Sequence, residues 1–388
     1  MALTILTAPG NNSSVSNEML FVIQEATKAV DPVTYPNYKY VLDIYVDGDL
    51  KARLRVPPDP TYSFGKFDVS VILRDYVPAY GLKANYSNTT ETYDINVAYT
   101  VKLGEEYGDT LYTNLVTDSE RTAYKTYAPR PFLSSDILAN ATNGMASNMP
   151  LLMTGYKDEK WKIIPAFSNA TGVVFTYGVI GSDGGLISDD DIVYSGQSNI
   201  NQFNVGFQKV AANLALSQSQ IDNSAQVAFD LDALGSYVIN LICSKHPIIT
   251  LAWLNPYGGY ESQSFGLVSK KTNQTMRKDF AQLPYQINAS GEVSYDSNGV
   301  MYGSKRGYAS MVKTILSLTS HLLTDSEYTW LADMFNSPDV YFYSATLDRW
   351  VPCTIADSNY EYRTYMNSRL TPLQFTVQFS DDYNAQYL

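Results

Sequence analysis

The sequence predicts a mainly β protein built of two or three antiparallel β-sandwich-like modules, with few short helices, one of them near residues 325–336. Three observations lead there. Apolar and polar residues alternate at a period of two over long stretches. Gly, Asn, Asp and Pro punctuate these stretches at short intervals. Aromatic residues make up 13 % of the 388 positions, with 32 tyrosines, and such side chains suit a pleated, half-buried surface.

The first clear element begins at Tyr38. Tyr38, Tyr40, Leu42, Ile44 and Val46 alternate with residues that include Lys39 and Asp43. After Asp47-Gly48, Leu50, Ala52, Leu54 and Val56 alternate with Lys51, Arg53 and Arg55. Two such runs around Asp-Gly predict a hairpin with one apolar and one wet face. Residues 67–77 read either as a short helix capped by Asp68 or as a strand. The period of two returns at Tyr93, Ile95, Val97, Tyr99, Val101 and Leu103, with Asp94, Asn96, Thr100 and Lys102 facing out. Shorter β-rich runs cover 172–180, 237–242 and 246–254, and a last alternating strand covers 373–380. Thr324-Asp325-Ser326-Glu327 is a capping box. Tyr328, Leu331, Ala332 and Phe335 follow at helical spacing, and Asn336-Ser337-Pro338 stops the helix. Residues 312–323 fit either state, and their Thr, Ile and Leu content leans toward strand.

Pro-rich stretches at 56–60 and 128–131 mark exits from strands. The second, with the polar segment after it, sets one module boundary, and Ser244–Pro247 sets another. The expected modules are an N-terminal β-sandwich over 1–130, a β-rich middle over 131–245, and a C-terminal β module with a capping helix over 246–388. Each has an ordinary domain size. No repeat of the solenoid type is present.

Composition removes several functions. Aromatic richness argues against disorder. A formal charge of −12 argues against sequence-independent nucleic-acid binding and against a basic membrane-surface protein. No run approaches the ~18–20 apolar residues of a membrane span, so no membrane insertion is expected. The N-terminus lacks a basic n-region and reads as no secretory signal, which places synthesis in a cytoplasm. On that reading the Asn-X-Ser/Thr triplets at Asn85 and Asn169 are chance. Cys243 and Cys353 lie in apolar runs and read as reduced, buried small hydrophobes. Their spacing leaves a disulfide open.

Chemical motifs are sparse. His246 and His321 are the two histidines, and neither is flanked by a nucleophile motif. No phosphate loop, dinucleotide fingerprint or His-Glu-x-x-His appears. Gly181-Ser182-Asp183-Gly184-Gly185 with Asp189-Asp190-Asp191 is the one dense acidic, Gly-rich patch. Oxygen ligands on such a loop can hold calcium, but the spacing fits no EF-hand, and the patch reads as a solvated loop. We therefore expect no catalytic, metal or cofactor-binding residues and no enzyme. Tyrosine favours interfaces, stacks on sugar rings, and also simply fills strands. Its spread over the whole chain favours covered interfaces over a single sugar platform.

The segment 251–265 runs from an apolar strand through Trp253-Leu254-Asn255 and Gly258-Gly259-Tyr260 to Phe265. Together with 323–341, 350–360, the C-terminal strand, and the N-terminal hairpin with 65–77, it resembles tail, baseplate or ring proteins of tailed bacteriophages infecting Bacteroidetes, including the crAss-like group. The middle of the chain has no counterpart. The resemblance implies a non-enzymatic virion structural protein of the tail or neck, made in the host bacterial cytoplasm. Its partners would be copies of itself in a symmetric ring and other tail or neck proteins. It carries over no catalytic residue. Trp253, Tyr257, Tyr260 and Phe265 are expected to anchor a turn, the helix over 325–336 to cover its sheet, and Trp330 and Trp350 to serve as further interface or structural anchors. The alternative reading is an adhesin or receptor-binding module for a host-surface glycan.

Overall fold

The alternating run from Tyr38 forms strand Lys39–Val46, and Asp47-Gly48 returns it as Asp49–Val56. Both turn residues take positive φ, 53° and 80°, the backbone that a two-residue hairpin requires. In this computed structural model the described residues are 3–77, 82, 90–93, 96–126, 144–145, 147–168, 171–195, 199–231, 236–267, 269–298, 300–356, 371–379 and 383–384. They form a mainly β protein with four helices: Ser70–Leu73, Phe207–Asn213, Gln218–Asn223 and Asp325–Asn336. None of these is long and apolar enough to cross a membrane.

The N-terminal hairpin sits in a six-stranded sheet with Asn96–Tyr107, Thr110–Thr117, Arg121–Tyr124 and Asn12–Ser14. A three-stranded sheet of Thr4–Thr7, Leu20–Gln24 and Phe64–Asp68 faces it. Phe21, Ile23 and Phe67 from the smaller sheet meet Tyr40, Leu42, Ile44, Val101 and Leu103 from the larger in one buried cluster. This is a β-sandwich, closed by the inward side chains of two alternating faces. The ambiguous residues 67–77 contain both expected structures. The strand ends at Asp68, whose carboxylate accepts from the Met19 and Ser70 backbone N–H groups at 3.1 and 3.0 Å. A short helix follows whose N-cap is Val69 and not the expected Asp68, because Asp68 still belongs to the strand.

Next in the chain are a four-stranded sheet and a five-stranded sheet. The first orders Gly144–Met145, Ile163–Ser168, Asn199–Asn204 and Thr90–Tyr93. Tyr93 therefore pairs away from Asn96–Tyr107, and the strand expected to begin at Tyr93 begins at Asn96; Asp94 and Ile95 lie outside the described residues. The five-stranded sheet orders Leu152–Tyr156, Tyr237–Ile242, Ser224–Leu231, Thr171–Gly181 and Leu186–Ser195, with the last at an edge. Its first two strands are parallel, and its other pairings are antiparallel.

The C-terminal sheet has eight strands. In order they are Tyr260–Phe265, Ile249–Leu254, Val340–Ser344, Arg349–Ile355, Thr371–Phe379, Lys305–Leu323 and Lys270–Ala281, with Tyr383–Asn384 also on Lys305–Leu323. Residues 312–323 are thus strand. Helix Asp325–Asn336 starts at the expected capping box, where the Glu327 N–H donates to Thr324 Oγ1 at 3.2 Å. Its Trp330, Leu331 and Met334 join a buried cluster that runs from Met149 to Val377. That cluster continues across the position expected to divide the middle and C-terminal modules, between Tyr237–Ile242 and Ile249–Leu254.

The cysteine expectation needs correction. Cys353 is buried, but Cys243 is exposed, because it lies one residue past the end of a strand that is itself only half-buried. Burial pushes the Cys353 thiol up to about 12. The seam at 128–131 and the triplets at Asn85 and Asn169 lie outside the described residues.

Candidate functional site

Trp253 on Ile249–Leu254 is fully buried, and Trp330 from the helix packs against it with ring centroids 5.2 Å apart. Phe265 belongs to the same cluster and meets Phe375 edge-on at 5.1 Å. The turn between the two strands is held by Asn255, whose side-chain oxygen accepts from the Tyr257 and Gly259 N–H groups at 3.0 Å each. Gly258 there adopts φ of 90°, which a side chain would resist. Tyr257 is half-buried and donates to Asn148 Oδ1 at 3.0 Å. Tyr260 is buried and donates to Asp339 Oδ2 at 3.4 Å. Trp350 lies apart from this group, in a small cluster with Trp161, Ile163 and Ala252. Ala252 and Trp253 are neighbours in one strand, so Trp350 covers the face opposite to Trp330. The six expected anchors are thus five buried side chains and one half-buried one.

Sequence reasoning missed a polar layer between them. Strand Tyr260–Phe265 reads Tyr-Glu-Ser-Gln-Ser-Phe and is buried at every position. Glu261 accepts from Asn255 Nδ2 at 2.6 Å and from Trp330 Nε1. Ser262 Oγ accepts from the Ile163 N–H at 2.6 Å. Lys162, fully buried, donates to Gln263 Oε1, and its ammonium lies 5.0 Å from the Trp330 ring centroid. Glu159 is buried nearby and accepts from the Tyr156 N–H at 3.3 Å.

Further along, Glu327 accepts from the Thr154 and Thr324 N–H groups at 2.9 Å each and lies 3.5 Å from His321 Nε2. Burial pushes the Glu261 carboxyl up to about 7, against the hydrogen bonds from Ser147, Asn255 and Trp330. Burial also raises Glu159, against the Lys162 charge, and lowers Lys162, against Glu159, Glu327 and Glu261. For Glu327 burial pulls upward, but His321 and the backbone donors outweigh it and hold the carboxyl below its usual range. Buried polar groups need hydrogen-bond partners, and this layer draws them from strands of three sheets and a helix, while Glu159 Oε1 and His321 Nδ1 are buried without one among the described residues. The layer is a joint, with its members withdrawn from solvent.

The exposed counterpart is an arm. All twelve residues of Lys270–Ala281 are exposed, and the strand pairs with Lys305–Leu323 from Lys270 opposite Ser317 to Ala281 opposite Lys305. At ~3.4 Å per residue it extends about 40 Å. Two small hairpins, Gln286–Ile287 with Val293–Ser294 and Asp296–Ser297 with Val300–Met301, cap its far end. Met276 is 57 % exposed, Tyr295 62 % and Val300 70 %, with Leu283, Ile287 and Met301 also exposed. The sequence signal that could have located the arm is its charge. Residues 269–313 carry seven Lys and Arg against three Asp and Glu, whereas the remainder carries 20 against 36.

Asp183 lies in the turn between Thr171–Gly181 and Leu186–Ser195, and its carboxylate accepts from the Gly185 N–H at 3.1 Å. Asp189, Asp190 and Asp191 lie in the following edge strand and are exposed. His246 is exposed, and His321 is buried.

No protein-family model and no curated protein matches the chain. Among solved structures, the FN1–FN3 domains of chicken CNTN1 are similar at 11 % identity over 63 % of this chain and 66 % of theirs, with a TM-score of 0.16. The plexin A4 extracellular region, domains 1 to 8, is similar at 8 % identity over 97 % of this chain and 39 % of its own, with a TM-score of 0.18. Likenesses at these scores carry no argument about this protein's activity or partners.

Proposed function

We propose that this chain is a non-enzymatic structural protein of a tailed-phage virion, present in multiple copies as part of a ring, hub or baseplate in the tail or neck. The observation that carries the multi-copy part is the arm. An edge strand exposed at all twelve positions, with exposed apolar side chains on it and on the hairpins at its end, is a liability in a monomer and is ordinary where neighbours cover it. The virion assignment rests on the segments 251–265, 323–341 and 350–360. Segments 251–265 and 323–341 meet in a buried, internally hydrogen-bonded joint, which suits a component that must hold its shape. Purified full-length protein imaged by negative stain and weighed in solution should give symmetric multimers. A monodisperse monomer at high concentration, with no partner in a phage lysate, would overturn the reading.

A second reading, a glycan-binding adhesin, draws on exposed aromatic rings such as Tyr62, Tyr295 and Tyr308, which could stack on sugars. It requires a saturable change in Tyr fluorescence with some member of a glycan panel, and a flat response removes it.

A further inference from the structure

We infer that the exposed edge of strand Lys270–Ala281 in one copy docks, as an added β-strand, onto the acidic edge strand Leu186–Ser195 of the next copy. This rests on the multi-copy reading above and names the joint it would use.

Both strands are edges. Lys270–Ala281 ends the eight-stranded sheet, and Leu186–Ser195 ends the five-stranded one; among the described residues each has one neighbouring strand. An unpaired edge offers a row of N–H and C=O groups that another strand can complete. The lengths match, at twelve and ten residues.

Charge selects the pairing. The arm strand carries Lys270, Lys271, Arg277 and Lys278 against Asp279, while the other carries Asp189, Asp190 and Asp191 and no base. Among the edge strands of the described residues, Leu186–Ser195 has the largest acidic excess. Like charges placed opposite one another are destabilising, so each edge resists pairing with its own kind. Their opposite signs leave arm-to-edge contact as the permitted combination. Exposed apolar side chains lie on both sides of the joint, Met276 and Phe280 on the arm, Leu186 and Val193 on the edge.

A second copy of this chain is the occupant that fits, because the chain carries both halves of the joint on different sheets. Such contacts are heterologous, and they close into a ring when the rotation between copies allows it.

Two measurements on the full-length protein test the inference. In the first, sedimentation velocity compares wild type with the arm variant K270E/K271E/R277E/K278E, the edge variant D189K/D191K, and their combination. Asp190 is left in place because it accepts from the buried Tyr177 hydroxyl at 3.3 Å. Each single set should weaken self-association at least tenfold, added salt should weaken wild type, and the combination should recover most of the loss. Association unchanged in both sets, or no recovery in the combination, overturns the joint while leaving multi-copy assembly standing. A wild type that stays monomeric overturns the assembly reading itself.

The second measurement needs no variant. Hydrogen exchange on dilute and concentrated wild type should show new protection in 270–281 and in 186–195 together. Protection confined to other segments overturns the joint. So does protection of 270–281 without 186–195, the outcome expected if the arm binds a different partner.

Discussion

Strands Tyr260–Phe265 and Lys270–Ala281 follow each other in the chain and end at opposite edges of one eight-stranded sheet. Every residue of the first is buried and every residue of the second is exposed. Composition does not explain this, since each mixes polar residues with a minority of apolar ones. The difference lies in what is laid against them. The first receives Lys162, Ile163 and Trp330 from other elements, which satisfy its polar groups and exclude water. The second has no such layer laid against it: Lys270–Thr275 flank the body of the sheet opposite Val312–Ser317, and from Met276 on the strand runs beside Lys305–Met311, which carries no buried side chain. A polar strand becomes core when its partners arrive already bonded to it, and an apolar side chain stays wet when nothing reaches it.

The contrast breaks most severely at Trp330. Trp330→Ala should cost about 3–5 kcal/mol, since it opens a cavity against Trp253 and takes from Glu261 one of its donors. Urea unfolding would show this, and a cost below about 1 kcal/mol would mean the joint is not what holds the buried strand.

Glu261→Gln sharpens the electrostatic side. The folded-state carboxyl is raised to about 7 from an ordinary 4.5, so the native state holds a proton that the unfolded state releases. The stabilisation from the neutral acid is fully present below about pH 4.5 and is lost as pH rises through 7, by at most about 3 kcal/mol. The amide imitates the neutral acid at every pH. Unfolding free energies of wild type minus variant should therefore fall across pH 4.5–7 and level off above it. Glu159, Lys162, His321, Glu327 and Asp333 are common to both proteins and cancel to first order. A flat difference would show that Glu261 keeps its charge.

Gly266 lies between the two strands. A Cβ there would sit 2.6 Å from the Tyr156 ring, which is buried and packs edge-on to His321 at 6.2 Å. Gly266→Ala should cost about 1–3 kcal/mol through overpacking, read as a lower thermal midpoint. At the far end of the scale, the arm variant K270E/K271E/R277E/K278E should change the unfolding free energy by only about 0.5 kcal/mol.

Much of the local structure was legible in the residues. Alternation from Tyr38 and the Asp47-Gly48 turn located a hairpin, and Thr324 with Glu327 located the start of the longest helix. Trp253, Tyr260, Phe265 and Trp330, expected as anchors through the resemblance, are all buried. The buried layer was not. The polar residues Glu261, Ser262 and Gln263 carry no local signal of burial, and their withdrawal from water depends on Lys162 and Trp330, far off in the chain. The arm went unread for the opposite reason, since nothing local to Met276 and Phe280 says that no facing layer will reach them.

The sequence by itself determined the class of the protein and where its strands turn, because backbone sterics and the period of two act between near neighbours. Only the tertiary structure decided which strands face water. Burial depends on partners brought together by folding, and no residue carries its future neighbours in its own chemistry.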